Sequence, residues 1–224
     1  METLFWQSAG LVPGMTGSHL GLPADAIYLD PSRPGQHVGV AGGYRLNHAT
    51  LEVGLNGPVG YATRLLGGFG KQFKDTIRQG FGSALAVGAV GQVIADERSR
   101  VVLDPTNQDA FGLPVAQISS VLTKESLRLL RHMAVASRQV MQAAGAEVTQ
   151  ENGSMDEFVA THVFGTARMG EDPTSSVVDA NGRAHDHPNL WIADASVFPT
   201  SGGGESPGLT IMALAMRTAD AIRA

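Results

Sequence analysis

The residues best suited to chemistry lie in the last third of the chain. "THVFGTARMG" (161–170) sets His162 ahead of a small-residue turn and a single arginine, Arg168. A neutral imidazole can take a proton from an alcohol near neutral pH, because its pKa lies close to that range. The same side chain can instead be packed and bonded to a backbone carbonyl, and packing is the default role for one histidine taken alone. "SGGGESPGLT" (201–210) feeds three glycines into a helix start. Such a loop presents backbone N–H groups and a positive dipole end to an anion or an electron-rich ring. It also reads as a plain flexible connection. "HDHP" (185–188) spaces His185 and His187 as two metal ligands on one face of a strand would be spaced. Gly182 and Pro188 mark that stretch as a turn, and no third ligand is near in sequence, so a structural role is expected. His19, His37, His48 and His132 sit in no pattern and are expected to pack or face solvent.

Other chemistries are excluded or unsupported. There is no cysteine, hence no disulfide framework, thiolate nucleophile or thiolate metal site. "GGFGKQ" and "GFGSAL" lack the third glycine of a dinucleotide fingerprint, so no complete nucleotide-binding βαβ unit is visible. The net charge is -5 and no Lys/Arg run occurs, which argues against nucleic acid as a partner. "METLFWQSAG" has an acid at Glu2 and no basic segment before an apolar run, so it does not read as a signal peptide. No uninterrupted apolar stretch reaches membrane-spanning length. A cytoplasmic location is the default that remains.

The elements that must position these residues follow from composition and periodicity. The 224 residues, 43% hydrophobic and 17% charged, suit one large or two small globular domains. "HVGVAGGYRL" and "ATLEVGL" suggest short strands, and "KQFKDTIRQ" (71–79) a short amphipathic helix. "LAVGAVGQVI" (85–94) reads as a strand. "RVVLDP" (100–105) and "LPVAQISS" (113–120) read as two strands joined by a turn. Thr123 is a candidate N-cap for a helix whose apolar stripe is Leu127, Leu130, Met133, Ala134, Met141 and Ala144, with Gly145 just past its end. "TQENGSMDE" reads as a polar loop leading toward His162. "NLWIAD" (189–194) reads as the last strand. The last helix is expected from Ser206 as N-cap and Pro207 as first residue, with "LTIMALAM" apolar on nearly every side and therefore buried.

Taken together in order, these segments resemble a known family. "HVFGTARMGEDPTSSVVDANGRAHDHPNLWIADASVFPTSGGGESPGLTIMALAMRTADAI" is similar to the C-terminal segment of the glucose–methanol–choline (GMC) oxidoreductases, flavoproteins that oxidise alcohols and sugars with FAD. The shared elements are H-x-x-G-T-x-R-M-G, D-P followed by S-V-V-D, N-L-W-I-A-D-A-S-V-F-P-T, and P-x-L-T-I with A-L-A. "RVVLDPTNQDAFGLPVAQIS" and the helix ending in "AAGAEV" resemble the preceding part in the bacterial dehydrogenase branch. The resemblance runs from about Val93 to the end and is looser over residues 1–92.

The resemblance implies an α+β fold: a mostly antiparallel substrate-domain sheet with helices, plus the terminal strand and helix of an otherwise absent FAD-binding domain. Residues 1–166 would be most of the substrate-binding portion and 167–224 the segment completing the FAD-binding domain. His162 falls on the family's catalytic base. Asp194 and Ala195 fall on positions that contact FAD through the backbone. Ser206, Pro207 and Thr210 fall at the second motif, near the flavin. Ser206 stands where the family usually has the Asn or His that partners the catalytic histidine, and Glu205 or a water is a candidate to share that role. The family's FAD-binding G-x-G-x-x-G lies in an N-terminal part that has no match here. Implied partners are therefore an alcohol or sugar substrate and a separate N-terminal FAD-binding segment or subunit. The competing reading is a non-catalytic remnant or interaction module that binds no flavin by itself.

Overall fold

The computed structural model describes residues 3–20, 27–29, 39–157, 162–204 and 206–224. A five-stranded antiparallel sheet forms the centre. It is built from β1 (Leu4–Leu11), β2 (Ile27–Tyr28), β3 (Tyr44–His48), β4 (Ala84–Gly91) and β7 (Glu147–Gly153), in the order β2-β3-β4-β1-β7. β5 (Arg100–Gln108) and β6 (Pro114–Ser119) make a separate antiparallel hairpin. The helices are α1 (Pro58–Gly60), which runs on into a π-turn at Tyr61–Leu65, then α2 (Gly70–Gly80), α3 (Lys124–Ala143) and α4 (Gly208–Arg223). The mixed helix and antiparallel-sheet architecture is the expected one.

One face of the sheet is closed by α3. Thr123 caps this helix, its Oγ1 accepting from Ser126 N at 3.0 Å. Gly145 takes φ 72° just beyond the end, where Ala146 N donates to Met141 O; a glycine adopts that left-handed conformation without steric cost. Leu129, Leu130, Met133 and Met141 are fully buried against Leu4, Tyr44, Leu46, Val87 and Ala89 of the sheet. Burial of each such side chain stabilises the fold by roughly 1.5–3 kcal/mol. The buried stripe also takes in Ser126 and Ser137, whereas Leu127 is only partly buried and Ala144 is exposed. The stripe is therefore rotated from the expected one. Small hydroxyls are admitted because they bond into the sheet: Ser137 Oγ donates to Val87 O.

Other expectations change as well. "ATLEVGL" forms turns, with Gly54 at φ 72° and Leu55 N bonded back to Thr50 O. The polar stretch expected as a loop is largely strand β7. It lies along β1, and Glu151 holds it there by accepting from Ser8 Oγ and from Arg138 of α3, each at 2.8 Å. Cross-strand polar contacts, not an apolar pattern, fix this strand. Residues 189–194 form no named strand and carry only an isolated bridge, Arg183 to Trp191. An extended segment builds a ladder only beside another strand, and its neighbours here are turns.

The last helix starts one residue later than expected, with Pro207 as N-cap. It is also not buried all round. Ile211 and Leu214 pack on the main core and Thr218 is buried, its hydroxyl donating to Asn181 O. Leu209, Met212 and Met216 form a second stripe and are 78%, 59% and 70% exposed. One apolar face meets this chain; the other has no counterpart among the described residues.

Candidate active site

The motif carrying His162 and the segment carrying Asp194 and Ala195 lie side by side. Gly165 N donates to Ala195 O at 3.0 Å, Ala167 N to Ser196 O at 3.0 Å, and Met169 N to Val197 O at 2.8 Å. The turn that permits this alignment needs left-handed backbone at two consecutive positions, Gly165 at φ 78° and Thr166 at φ 82°. Thr166 is the one non-glycine residue with positive φ among those described. Such strain persists where neighbouring contacts over-determine the chain. His162 is partly buried, two residues ahead of Phe164, whose ring sits in the main core. Asp194 caps a short 3-10 turn, Ala195–Val197, by accepting from Ser196 N at 2.8 Å. Its carboxylate is thereby occupied, and the backbone carbonyls of Asp194 and Ala195 accept from Val197 N and from Gly165 N and Phe198 N.

From Phe198 the chain crosses to the sheet and is fastened there. Ser201 Oγ accepts from Val93 N, Thr200 Oγ1 from Gln92 Nε2, and Gly204 O from Arg45 Nε. Gly204 takes φ 97°, and a β-carbon there would collide with Val90 O. The glycine loop is therefore a docked connection, not a slack one. Beyond it Ser206 is exposed, Pro207 partly buried and Thr210 exposed. Glu205 lies outside the described residues. Pro207 supplies no side-chain cap, and the first intrahelical bond is Ile211 N to Pro207 O. The N–H groups of Gly208, Leu209 and Thr210 therefore have no acceptor within the helix. Positions Gly202 and Gly208 face open space. An uncapped helix start before open space is where an electron-rich ring is favoured by the dipole.

The other histidines fall into structural roles. His185 Nε2 lies 3.0 Å from Ser176 Oγ and 3.2 Å from Gly170 O, which ties the D-P turn to the motif; His187 is exposed. His48 pairs with Thr50 Oγ1 at 2.8 Å, and burial lowers its pKa from 6.5, against a smaller opposing pull from Glu52. His19 stacks near Phe81 and His132 near Tyr44. His37 lies outside the described residues. Sequence reasoning missed a cavity of about 450 Å³ beside Thr166 and Arg168, bordered by Asp96, Arg100, Ser175 and Val177. There Arg98 hydrogen-bonds Asp96 and lowers its pKa to about 2. No group of His, Cys, Asp and Glu able to hold a metal occurs among the described residues.

The GMC oxidoreductase family model matches residues 95–215, more than half of the chain. The chain belongs to the GMC oxidoreductase family. It is 32% identical to 2-methyl-1,2-propanediol dehydrogenase of Mycolicibacterium austroafricanum over 164 residues, 73% of this chain and 30% of that protein. It is 32% identical to the fructose dehydrogenase large subunit of Gluconobacter japonicus over 188 residues, 81% of this chain and 34% of that protein. Among solved structures, formate oxidase of Aspergillus oryzae RIB40, studied for modification of its FAD, superposes with a TM-score of 0.56 at 15% identity, covering 100% of this chain and 46% of that one. The chain thus spans about a third of the length of the curated relatives it matches. GMC oxidoreductases depend on FAD. The uncapped start of α4 and the open space before it fit one edge of such a group. No helix among the described residues is long and apolar enough to cross a membrane.

Proposed function

We propose that this chain is the C-terminal portion of an FAD-dependent oxidoreductase that oxidises the CH–OH group of an alcohol or sugar. The observation that carries this reading is the backbone ladder joining the His162 motif to Asp194–Ala195. It supports the reading because the segment that carries His162 runs beside the segment that carries Asp194 and Ala195. In this reading residues 1–166 form the substrate-binding portion and residues 167–224 complete the FAD-binding domain. An N-terminal segment or subunit supplies the rest of that domain. The name "fructose dehydrogenase large subunit" borne by one relative is consistent with assembly from several chains.

Bound FAD would supply acceptance of the hydride leaving the carbinol carbon. The chain's own residues do the remainder. The His162 imidazole takes the hydroxyl proton, since a neutral imidazole is the side chain best matched to that transfer near neutral pH. Ser206 offers one hydroxyl to orient the histidine or the substrate oxygen. The backbone of Asp194 and Ala195, and the first turn of α4 from Pro207 to Thr210, would hold the flavin, with the helix dipole favouring negative charge there.

Co-expression with the N-terminal portion should yield a yellow protein that oxidises an alcohol or sugar. In that protein His162→Ala should keep flavin absorbance and lower kcat by about 10²–10⁴-fold, the usual contribution of a positioned base. Unchanged turnover in the flavin-loaded variant would remove His162 from the mechanism. A pair that never takes up flavin would favour the non-catalytic interaction module, for which the exposed stripe of α4 is the supporting feature.

A further inference from the structure

Between the foot of β5 and the turn of the His162 motif lies the cleft of about 450 Å³. One wall comes from residues 95–101 and the other from residues 165–168 and 174–177. A space of that size falls within the range of small-molecule sites and exceeds what a single ion fills. Arg100, Thr166 and Arg168 are exposed, so a ligand entering from solvent can reach them.

The chain carries a net charge of -5, yet this cleft has the opposite sign. Four charged side chains line it: Asp96, Glu97, Arg100 and Arg168. Asp96 is neutralised by Arg98, which donates to both of its oxygens, at 2.8 and 2.7 Å. Two guanidinium groups then stand against one free carboxylate, that of Glu97. Neither Arg100 nor Arg168 forms an ion pair among the described residues. Arg168 is anchored through Nε, which donates to Ser175 O at 2.6 Å, and its terminal N–H groups have no acceptor among the described residues. An anchored guanidinium with free ends is already oriented for an oxyanion, which it meets with two parallel hydrogen bonds.

The motif wall also holds the strained residue, Thr166, at φ 82°. The N–H groups of Gly165 and Ala167 on either side of it bond to Ala195 O and Ser196 O, whereas that of Thr166 has no acceptor among the described residues. Strained backbone of this kind gathers at ligand clamps. Thr174 and Ser175 continue the wall, and their hydroxyls already donate to Asp172. Each oxygen keeps acceptor capacity, which matches the hydroxyls of a ligand.

We propose that this cleft binds a small hydroxylated oxyanion, a sugar phosphate or a sugar acid. Arg100, Arg168 and Thr166 N–H hold the phosphate or carboxylate, and Thr174 and Ser175 accept from hydroxyls of the attached skeleton. A neutral sugar lacks the guanidinium contacts, and a bare anion leaves most of the space unfilled. The site goes beyond the oxidoreductase reading and does not rest on it.

The test is calorimetric titration of glucose 6-phosphate, gluconate, inorganic phosphate and glucose into this chain, and into the protein co-expressed with its N-terminal portion. Binding in either protein counts, because every residue of the site belongs to this chain. At least one of glucose 6-phosphate and gluconate should bind, and the tighter of the two identifies the oxyanion. Glucose and inorganic phosphate should each bind at least about tenfold more weakly, the loss of the charge-assisted contacts in one case and of the skeleton in the other. Arg100→Gln and Arg168→Gln should each weaken the anionic sugar by about tenfold or more. Glu97→Gln should tighten it by about two- to fivefold, since it removes the one free negative charge, and a merely structural role would not give that opposite sign. If Arg168→Gln does not fold, because its bond to Ser175 is lost, Arg100→Gln and Glu97→Gln carry the test. No binding of either anionic sugar, glucose binding as tightly as they do, or affinities unmoved by Arg100→Gln and Glu97→Gln would overturn the site. Inorganic phosphate binding as tightly as glucose 6-phosphate would overturn the ligand class. None of these outcomes touches turnover, so the oxidoreductase reading stands or falls separately.

Discussion

His162 and His48 lie in different surroundings. His162 stands in a motif whose backbone is clamped at Gly165, Ala167 and Met169. His48 lies on the α3 side of β3, bonded to Thr50, where burial disfavours its charged form. Its folded pKa lies below 6.5, so the unfolded chain binds the proton more readily. The stability tied to neutral His48 is complete above that value and is lost as pH falls through the folded pKa. Urea midpoints measured between pH 8 and pH 5 should therefore drop less in His48→Gln than in the unaltered chain. Parallel pH profiles for the two would show that His48 contributes nothing to acid sensitivity.

At the scale of elements, the connection between the 3-10 turn at Ala195–Val197 and α4 is tied to the central sheet. Its anchor is Gly204, held between Arg45 and Val90 at a backbone angle that side chains rarely adopt. Gly204→Ala should destabilise the fold by roughly 1–3 kcal/mol, because it imposes both strain and a backbone collision. In the complete flavoprotein it should also weaken flavin retention, read as free flavin after gel filtration. A fully retained flavin with an unchanged melting temperature would mean that the loop can seat elsewhere. Such tertiary anchors explain what the sequence makes legible and what it hides. The cap at Thr123 and the glycine at 145 are local devices, and both stand as read from neighbouring residues. The run of motifs from His162 to Thr210 is legible because its order is specific. Strand β7 is hidden, since its hold on β1 comes from Ser8 and Arg138, far away in the chain. The pairing of Gln7, Asn47, Gly88 and Asn152 on one face of the sheet is hidden for the same reason, since it depends on the register.

At the scale of the whole molecule, α4 is amphipathic toward two different partners. Ile211, Leu214 and Thr218 serve this chain, while Leu209, Met212 and Met216 stand in solvent. The β5–β6 hairpin adds Leu103, Leu113 and Ile118, each more than 60% exposed. Exposed apolar residues clustered on one element mark an association site or an aggregation liability. The chain covers only about a third of its relatives' length, and the N-terminal portion proposed to supply the rest of the FAD-binding domain is the natural cover for the α4 stripe. Two outcomes should then be linked. Expressed alone, the chain should self-associate as concentration rises, and Met212→Lys with Met216→Lys should shift it toward monomer in sedimentation velocity, since lysine keeps helix propensity and removes the apolar face. The same double variant, co-expressed with the N-terminal portion, should assemble less and carry less flavin. If the variant becomes monomeric yet assembles and binds flavin as before, the stripe serves some other contact and the proposed cover lies elsewhere on the molecule. If it loses assembly, one face of one helix accounts both for the chain's poor behaviour alone and for its place in the flavoprotein.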